Sequence, residues 1–263
     1  MEFDFYILDP TGNITAIVET PVMRESQSCA ARLIMDEYPQ VEQVAFIEPR
    51  KAGSTDIAIR MMGGEFCGNA AICAASLLMS RCPDEEASFR LEISGAEKPL
   101  TAKLRADGEL YIGSVEMPLP RSVDEISLSF GEKSYSFPRV SFDGITHLIA
   151  MGNIEKTEAL SAISGWCREL NTDALGILFC EGDAMTPLVY VGSTDSRVWE
   201  GSCASGTCAI AAYKAIKSKG SISVDLSEPG GNIGADAVYA DGKLRSLKLR
   251  NKVMILGHFK LNA

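Results

Sequence analysis

The chain has 263 residues, a formal net charge of −10, and 46% apolar against 23% charged side chains. That is an ordinary globular balance, with material for one large domain or two of about 130 residues each. The acidity and the lack of any basic stripe exclude a nucleic-acid binder, and no apolar run approaches the ~20 residues that span a bilayer.

The chain opens on "FDFYIL", a turn at "DPTGN", and "ITAIVE". This reads as strand, turn, strand, with Pro10 and Gly12 supplying the turn chemistry. Acidic residues stand where a secretion signal needs Lys or Arg, so a cytoplasmic chain is expected. Glu25–Tyr38 has helical periodicity, with Ala30, Leu33, Ile34 and Tyr38 on one side and Pro39 as the stop. "QVAFIE" and "TDIAIRMM" read as strands and lead into "GGEFCGNAAICAASLLM" (Gly63–Met79).

Three short strands follow between Ser88 and Glu116, and Pro118 and Pro120 then punctuate the chain. The expected boundary divides a lobe over 1–119, carrying Cys67, from one over 120–263, carrying Cys203. The last strand is free to return to the first lobe. Strands resume at "ISLSF", "KSYSFP" and "ITHLIAM". A helix is expected over Lys156–Leu170, with Asn153 or Thr157 as its cap. "ALGILFCE" and "TPLVYVG" precede a second thiol motif, "GSCASGTCAIAAYKA" (Gly201–Ala215). The tail alternates strands and turns: "ISVDLS", "EPGGN", "ADAVYA", "DGK", "LRSLKLR", "KVMILGHFKL".

Both halves place short strands, a Gly-flanked Cys, an Ala-rich apolar segment, and more strands. The segments after Cys67 and Cys203 are apolar nearly all round, which puts them inside the protein. Small residues let such a helix fit within a wrapped sheet. The fold class is therefore α+β: two pseudo-symmetric lobes, each a β-barrel-like sheet wrapped around a central helix, with a cleft between them.

Eight cysteines without a secretion signal argue against a disulfide framework. Cys67 and Cys203 stand apart because each sits at or beside a helix N-cap. Unpaired N–H groups and the helix dipole favour a thiolate there, and the same N–H groups bind carboxylates. Two such starts facing across a cleft suit racemisation, with a thiolate removing the α-proton and a thiol returning one from the other side. The pair is expected to titrate as a unit, one thiol and one thiolate. No metal is expected, because Cys67/Cys73 and Cys203/Cys208 have the wrong spacing for zinc. The Gly-rich stretches match neither a phosphate loop nor a dinucleotide fingerprint.

"EFCGNAAIC" and "CASGTCAIAA" resemble the two catalytic motifs of diaminopimelate epimerases. "TGNITAIV", "MGN" (Met151–Asn153) and "EPGGNI" (Glu228–Ile233) agree in order, so the resemblance covers nearly the whole chain. It implies a diaminopimelate epimerase-like fold and a racemase or epimerase that uses no pyridoxal phosphate and no other cofactor. It implies Cys67 and Cys203 as catalytic acid/base residues and Cys73 and Cys208 as structural. Gly68, Asn69, Ala204 and Ser205 match the groups that hold the α-carboxylate, and Asn13 and Asn153 match substrate-contacting asparagines. The wider superfamily includes proline racemases, histidine racemases and PhzF-like isomerases. The family's Glu-Arg-Gly segment is altered here. Glu200 lies three residues before Cys203 and no Arg follows it, which removes the cation for a distal carboxylate and leaves Glu200 to meet an amine or imidazole. Histidine is thus the leading substrate expectation and diaminopimelate the alternative. A catalytically silent amino-acid-binding protein is the alternative of another class. The expected partner is a small amino acid, with no nucleic acid and no membrane; a homodimer is left open.

Overall fold

The computed structural model describes residues 2–51, 53–193 and 195–262. They fall into two compact units, Met1–Met117 with Leu249–Ala263, and Pro118–Lys248.

The first unit runs β1 (Glu2–Asp9), β2 (Thr15–Val18), α1 (Arg24–Glu37), β3 (Gln43–Ile47), β4 (Ile57–Met61), α2 (Gly68–Met79), β5 (Glu86–Ile93), β6 (Leu100–Asp107) and β7 (Leu110–Glu116). The second runs β8 (Ser122–Phe130), β9 (Lys133–Ser141), β10 (Ile145–Ala150), α3 (Lys156–Glu169), β11 (Ala174–Glu181), β12 (Ala184–Val191), β13 (Ser196–Trp199), α4 (Ala204–Ser218), β14 (Ile222–Glu228), β15 (Gly231–Ala240) and the start of β16 (Lys243–Asn262). The later part of β16 belongs to the first unit.

In the first unit the hydrogen-bonded order is β1-β2-β3-β4-β5-β6-β7-β16. β16 pairs antiparallel with β1, from Glu2↔Asn262 to Asp9↔Met254, and closes an eight-strand barrel. Closure leaves no open edge. α2 packs against β2, β4, β5, β6 and β7, so strands surround it. All its residues except Leu78 are buried. A helix with no polar face is stable only in such a place, and its four alanines keep it thin enough for the interior. α1 covers the barrel from outside, burying Ala30, Ala31 and Ile34 against Phe5, Val18 and Phe46.

The second unit repeats the pattern on β14, β12, β11, β10, β9 and β8. β2–β3 and β10–β11 are parallel, as are β4–β5 and β12–β14. β1–β2 and β9–β10 are antiparallel, as are β3–β4 and β11–β12. α4 packs against β8, β9, β10, β14 and β15. α3 lies outside and buries Trp166 against Phe137 and Tyr135, with the indole N–H donating to the Ser129 carbonyl at 2.8 Å.

Three local expectations are corrected. The cap of α3 is Glu155, with no side-chain cap bond, rather than Asn153 or Thr157. β16 is one continuous 20-residue strand where two strands were expected. β13, for which no strand was expected, pairs with β12 from Leu188↔Trp199 to Val191↔Ser196. No helix among the described residues is long and apolar enough to cross a membrane.

Candidate active site

Each interior helix starts at a cysteine. Cys67 is the N-cap of α2, extended at φ −134°, ψ 118°. Cys203 is the N-cap of α4, at φ −126°, ψ 100°. The approach to Cys67 turns at Gly64, whose φ of 82° favours glycine. The approach to Cys203 is braced instead: the Gly201 carbonyl accepts the Gly230 N–H at 2.7 Å.

At Cys67 the sulfur accepts from the Ala70 N–H at 3.4 Å and donates to Gln43 Oε1 at 3.1 Å. Behind it stands a network of amides. Asn13 Oδ1 receives Gln43 Nε2 at 2.7 Å and Asn69 Nδ2 at 3.0 Å. Asn13 Nδ2 donates to Glu42 Oε2 at 2.7 Å. Asn251 Nδ2 reaches Asn69 Oδ1 at 3.4 Å and the Pro10 carbonyl at 3.1 Å, and its Oδ1 receives the Thr11 hydroxyl at 2.6 Å. The structure therefore brings Asn13, Gly68 and Asn69 to Cys67, with both ends of the Asn13 amide engaged.

At Cys203 the surroundings are acidic. Its backbone N–H donates to Glu228 Oε2 at 2.7 Å, and Glu200 hydrogen-bonds the sulfur. Ser205 Oγ lies 3.6 Å from Cys203 Sγ and 2.9 Å from His147 Nε2. His147 is fully buried, and its Nδ1 has no hydrogen-bond partner among the described residues. An orphaned N–H is rarer than an under-satisfied acceptor, which places the proton on Nε2 and makes the ring a donor to Ser205. Burial pushes His147 down to about 3. Gly176, its partner across β10–β11, makes room for the ring: a Cβ there would lie 2.3 Å from Nδ1.

So Glu200, Ala204 and Ser205 gather at Cys203. Asn153 does not join them by any hydrogen bond among the described residues: it is exposed and its amide donates to the Ser136 carbonyl at 2.7 Å. Sequence reading missed Gln43, His147, Thr207 and Glu228. Glu228 lay in a motif noted only as supporting evidence. Gly176, opposite a buried His, was the available signal for His147.

The expected lowering of the thiol pKa is also corrected. Burial pushes Cys67 up to about 11, against the opposing pull of the Ala70 N–H and Gln43. It pushes Cys203 well above its ordinary range; the charge of Glu200 adds to this, as does that of Glu228 whenever it is ionised. Desolvation outweighs the helix start in the protein without substrate.

A closed barrel holding one thiol-capped helix, followed by a second unit with a thiol-capped helix of its own, is a fold shared with solved structures. A solved probable proline racemase from Agrobacterium radiobacter shares it, at TM-score 0.76 and 12% identity over 99% of this chain and 93% of that one. So does a phenazine biosynthesis PhzF family protein from Enterococcus faecalis, at TM-score 0.61 and 13% identity over the whole of both chains. The family described as histidine racemase CntK N-terminal domain matches residues 2–260. The histidine racemase of Fusobacterium nucleatum subsp. nucleatum is 32% identical over 257 residues, covering 91% of this chain and 92% of its own. The chain belongs to this histidine racemase family. It is an isomerase, an amino-acid racemase.

Proposed function

We propose that the chain interconverts the L and D forms of histidine, with Cys67 and Cys203 as acid and base at the α-carbon. The observation that carries this is the repeated N-cap thiol: two interior helices, each beginning at a cysteine whose neighbouring N–H groups are placed to receive an anion. The repeated element order and pairing senses support reading the two units as pseudo-symmetric, diaminopimelate epimerase-like halves.

In this reading one thiolate removes the α-proton and the other thiol delivers one to the opposite face. The charge that develops on the substrate carboxylate is met by the first N–H groups of the helices, including those of Gly68, Asn69, Ala204 and Ser205. The chemistry needs no pyridoxal phosphate, because the sulfurs hold the protons and the amides hold the charge. Both thiols are hard to ionise in the empty protein. The substrate brings its own α-ammonium, and a cation beside a buried thiol favours the thiolate.

The side-chain assignment follows from the names of the relatives and from Glu200. An acid beside the Cys203 sulfur suits an imidazole or ammonium and repels a second carboxylate. Arg197, the nearest candidate for a distal-carboxylate clamp, pairs with Asp195 at 3.4 Å and lies 5.2 Å over the Tyr190 ring.

The test is loss of the α-proton NMR signal in D₂O under reductant, with L-histidine and LL-diaminopimelate offered separately. Histidine is expected to exchange and diaminopimelate not. Cys67→Ser and Cys203→Ser are each expected to lose about 10²–10⁴-fold in racemisation, the range for removing one acid/base group. Binding of histidine with no exchange would overturn the assignment of histidine as the substrate.

A further inference from the structure

Glu228 ends β14 and opens the turn Glu228-Pro229-Gly230-Gly231, yet it is only 5% exposed. Its carboxyl reaches across to the first turn of α4. Oε2 accepts the Cys203 N–H at 2.7 Å, and Oε1 lies 2.5 Å from Thr207 Oγ1. The same Thr207 oxygen lies 3.0 Å from the Cys203 carbonyl. Gly230, two residues on, holds the Gly201 carbonyl. The β14–β15 turn thus grips the segment before α4 at both ends.

Counting hydrogens gives the protonation state that completes this grip. Thr207 has one hydroxyl hydrogen and two oxygens within reach. If Glu228 is ionised, one of those contacts lacks a proton. If Glu228 carries a proton on Oε1, it donates to Thr207, Thr207 donates to the Cys203 carbonyl, and the Cys203 N–H donates back to Oε2. Every group in the ring is then satisfied.

The electrostatics agree. The titratable groups that interact with Glu228 are Glu200 before α4, Cys203 and Cys208 on α4, and Cys180 on β11. Asp236 on β15 shares the Cys208 environment, and Lys214 on α4 acts on Cys180. Among the described residues no cation forms an ion pair with Glu228. Burial pushes its carboxyl up to about 8, against the pull of Thr207 and the Cys203 N–H and with added push from Glu200.

We propose that Glu228 is a positioning residue that acts while uncharged: as a carboxylic acid it clasps both peptide groups of Cys203, and its ionisation at alkaline pH disables that thiol by setting a negative charge against the sulfur. This rests on Cys203 being a reacting thiol.

Glu228→Gln tests it. The amide keeps one acceptor for the Cys203 N–H and one donor for Thr207 but cannot ionise. The readout is iodoacetamide alkylation of Cys203 across neutral to alkaline pH, resolved by peptide mass spectrometry, with Cys67 as the control within the same molecule. The Cys203 curve is expected to move to lower pH in the variant, about tenfold in rate per pKa unit, with Cys67 unmoved. The alkaline fall in racemisation should recede with it. Glu228→Asp, ionisable on a shorter arm, should not reproduce the gain. An unmoved or upward Cys203 curve, or equal shifts at both cysteines, overturns the proposal. Infrared difference spectra of the wild-type protein give a second readout that needs no variant: a protonated carboxyl stretch at neutral pH that is lost at alkaline pH. Its absence at neutral pH would also overturn the proposal. Exchange activity surviving in Cys203→Ser would fail the racemisation reading and the positioning role with it, whereas the alkylation curves and the infrared stretch report separately whether a protonated Glu228 governs the Cys203 thiol.

Discussion

The starts of α2 and α4 share a cap residue, an extended cap geometry and a small-residue helix, but their partners differ. Cys67 is half-buried among neutral amides: Gln43, Asn13, Asn69 and Asn251. Cys203 is 5% exposed and faces Glu200, Glu228, Ser205 and, through Ser205, His147. Burial raises both thiols, but the neighbours then divide them. At Cys67 a backbone N–H and Gln43 pull back and the Glu65 charge adds to the rise; at Cys203 Glu200 adds by both charge and hydrogen bond, Glu228 adds once it ionises, and Ser205 pulls back. Repeating a scaffold therefore does not repeat its electrostatics. Two thiols that look interchangeable in the motifs are unequal before substrate arrives.

The largest effect expected from this asymmetry is in stability against acid. His147 belongs to the Cys203 side only, and its folded value of about 3 lies below the ordinary 6.5. The folded protein thus binds fewer protons than the unfolded chain between these values. Stability is full above pH 6.5 and falls as the pH drops toward 3, by at most about 1.4 kcal/mol per pH unit. His147→Gln keeps a donor for Ser205 and cannot titrate, so denaturant midpoints should lose much of that slope. A slope unchanged in the variant would remove His147 from the contrast. Next comes the order of thiol reaction. In the substrate-free protein iodoacetamide should label Cys67 before Cys203, which is the more deeply buried thiol and has the more acidic neighbours. Equal rates by peptide mass spectrometry would break the comparison outright.

What could be read from the chain and what could not divides along one line. The thiol caps were legible because a Gly-rich turn followed by an all-apolar segment is a local signal. So was the buried fate of α2, whose sequence offers no polar face. β13 was not legible: Val198 and Trp199 are 43% and 39% exposed, so its apolar residues follow no buried alternation, and only pairing with β12 makes it a strand. The unbroken run of β16 rests in the same way on partners far off in the chain, β7 and β15 beside it and β1 along its last residues. The thiol pKa direction failed for a related reason. The helix dipole is visible in a motif, whereas burial and the approach of Glu228 from β14 are properties of the folded chain. Glu228 and Cys203 are 25 residues apart in sequence, and nothing local joins them.

The smallest effect is at the third residue after each cysteine, where the motifs carry Ala70 and Gly206. A Cβ on Gly206 would lie 2.7 Å from Leu178 Cδ2 and 3.2 Å from Cys203 Sγ. The Leu178 methyl is a side-chain end and can turn away; the Cys203 sulfur, held between Ser205 and Gly206, must give by a few tenths of an ångström. Gly206→Ala is therefore expected to cost about 1 kcal/mol, the low end for overpacking, and to change the Cys203 alkylation rate. The reverse change, Ala70→Gly, should cost a similar ~1 kcal/mol through helix propensity. It leaves the Ala70 N–H on the Cys67 sulfur, so Cys67 reactivity should stay as it was. Melting curves for the two variants should thus look alike while their labelling differs. If both variants shift their own cysteine equally, the glycine beside Cys203 is not there for the sulfur, and helix packing alone accounts for it.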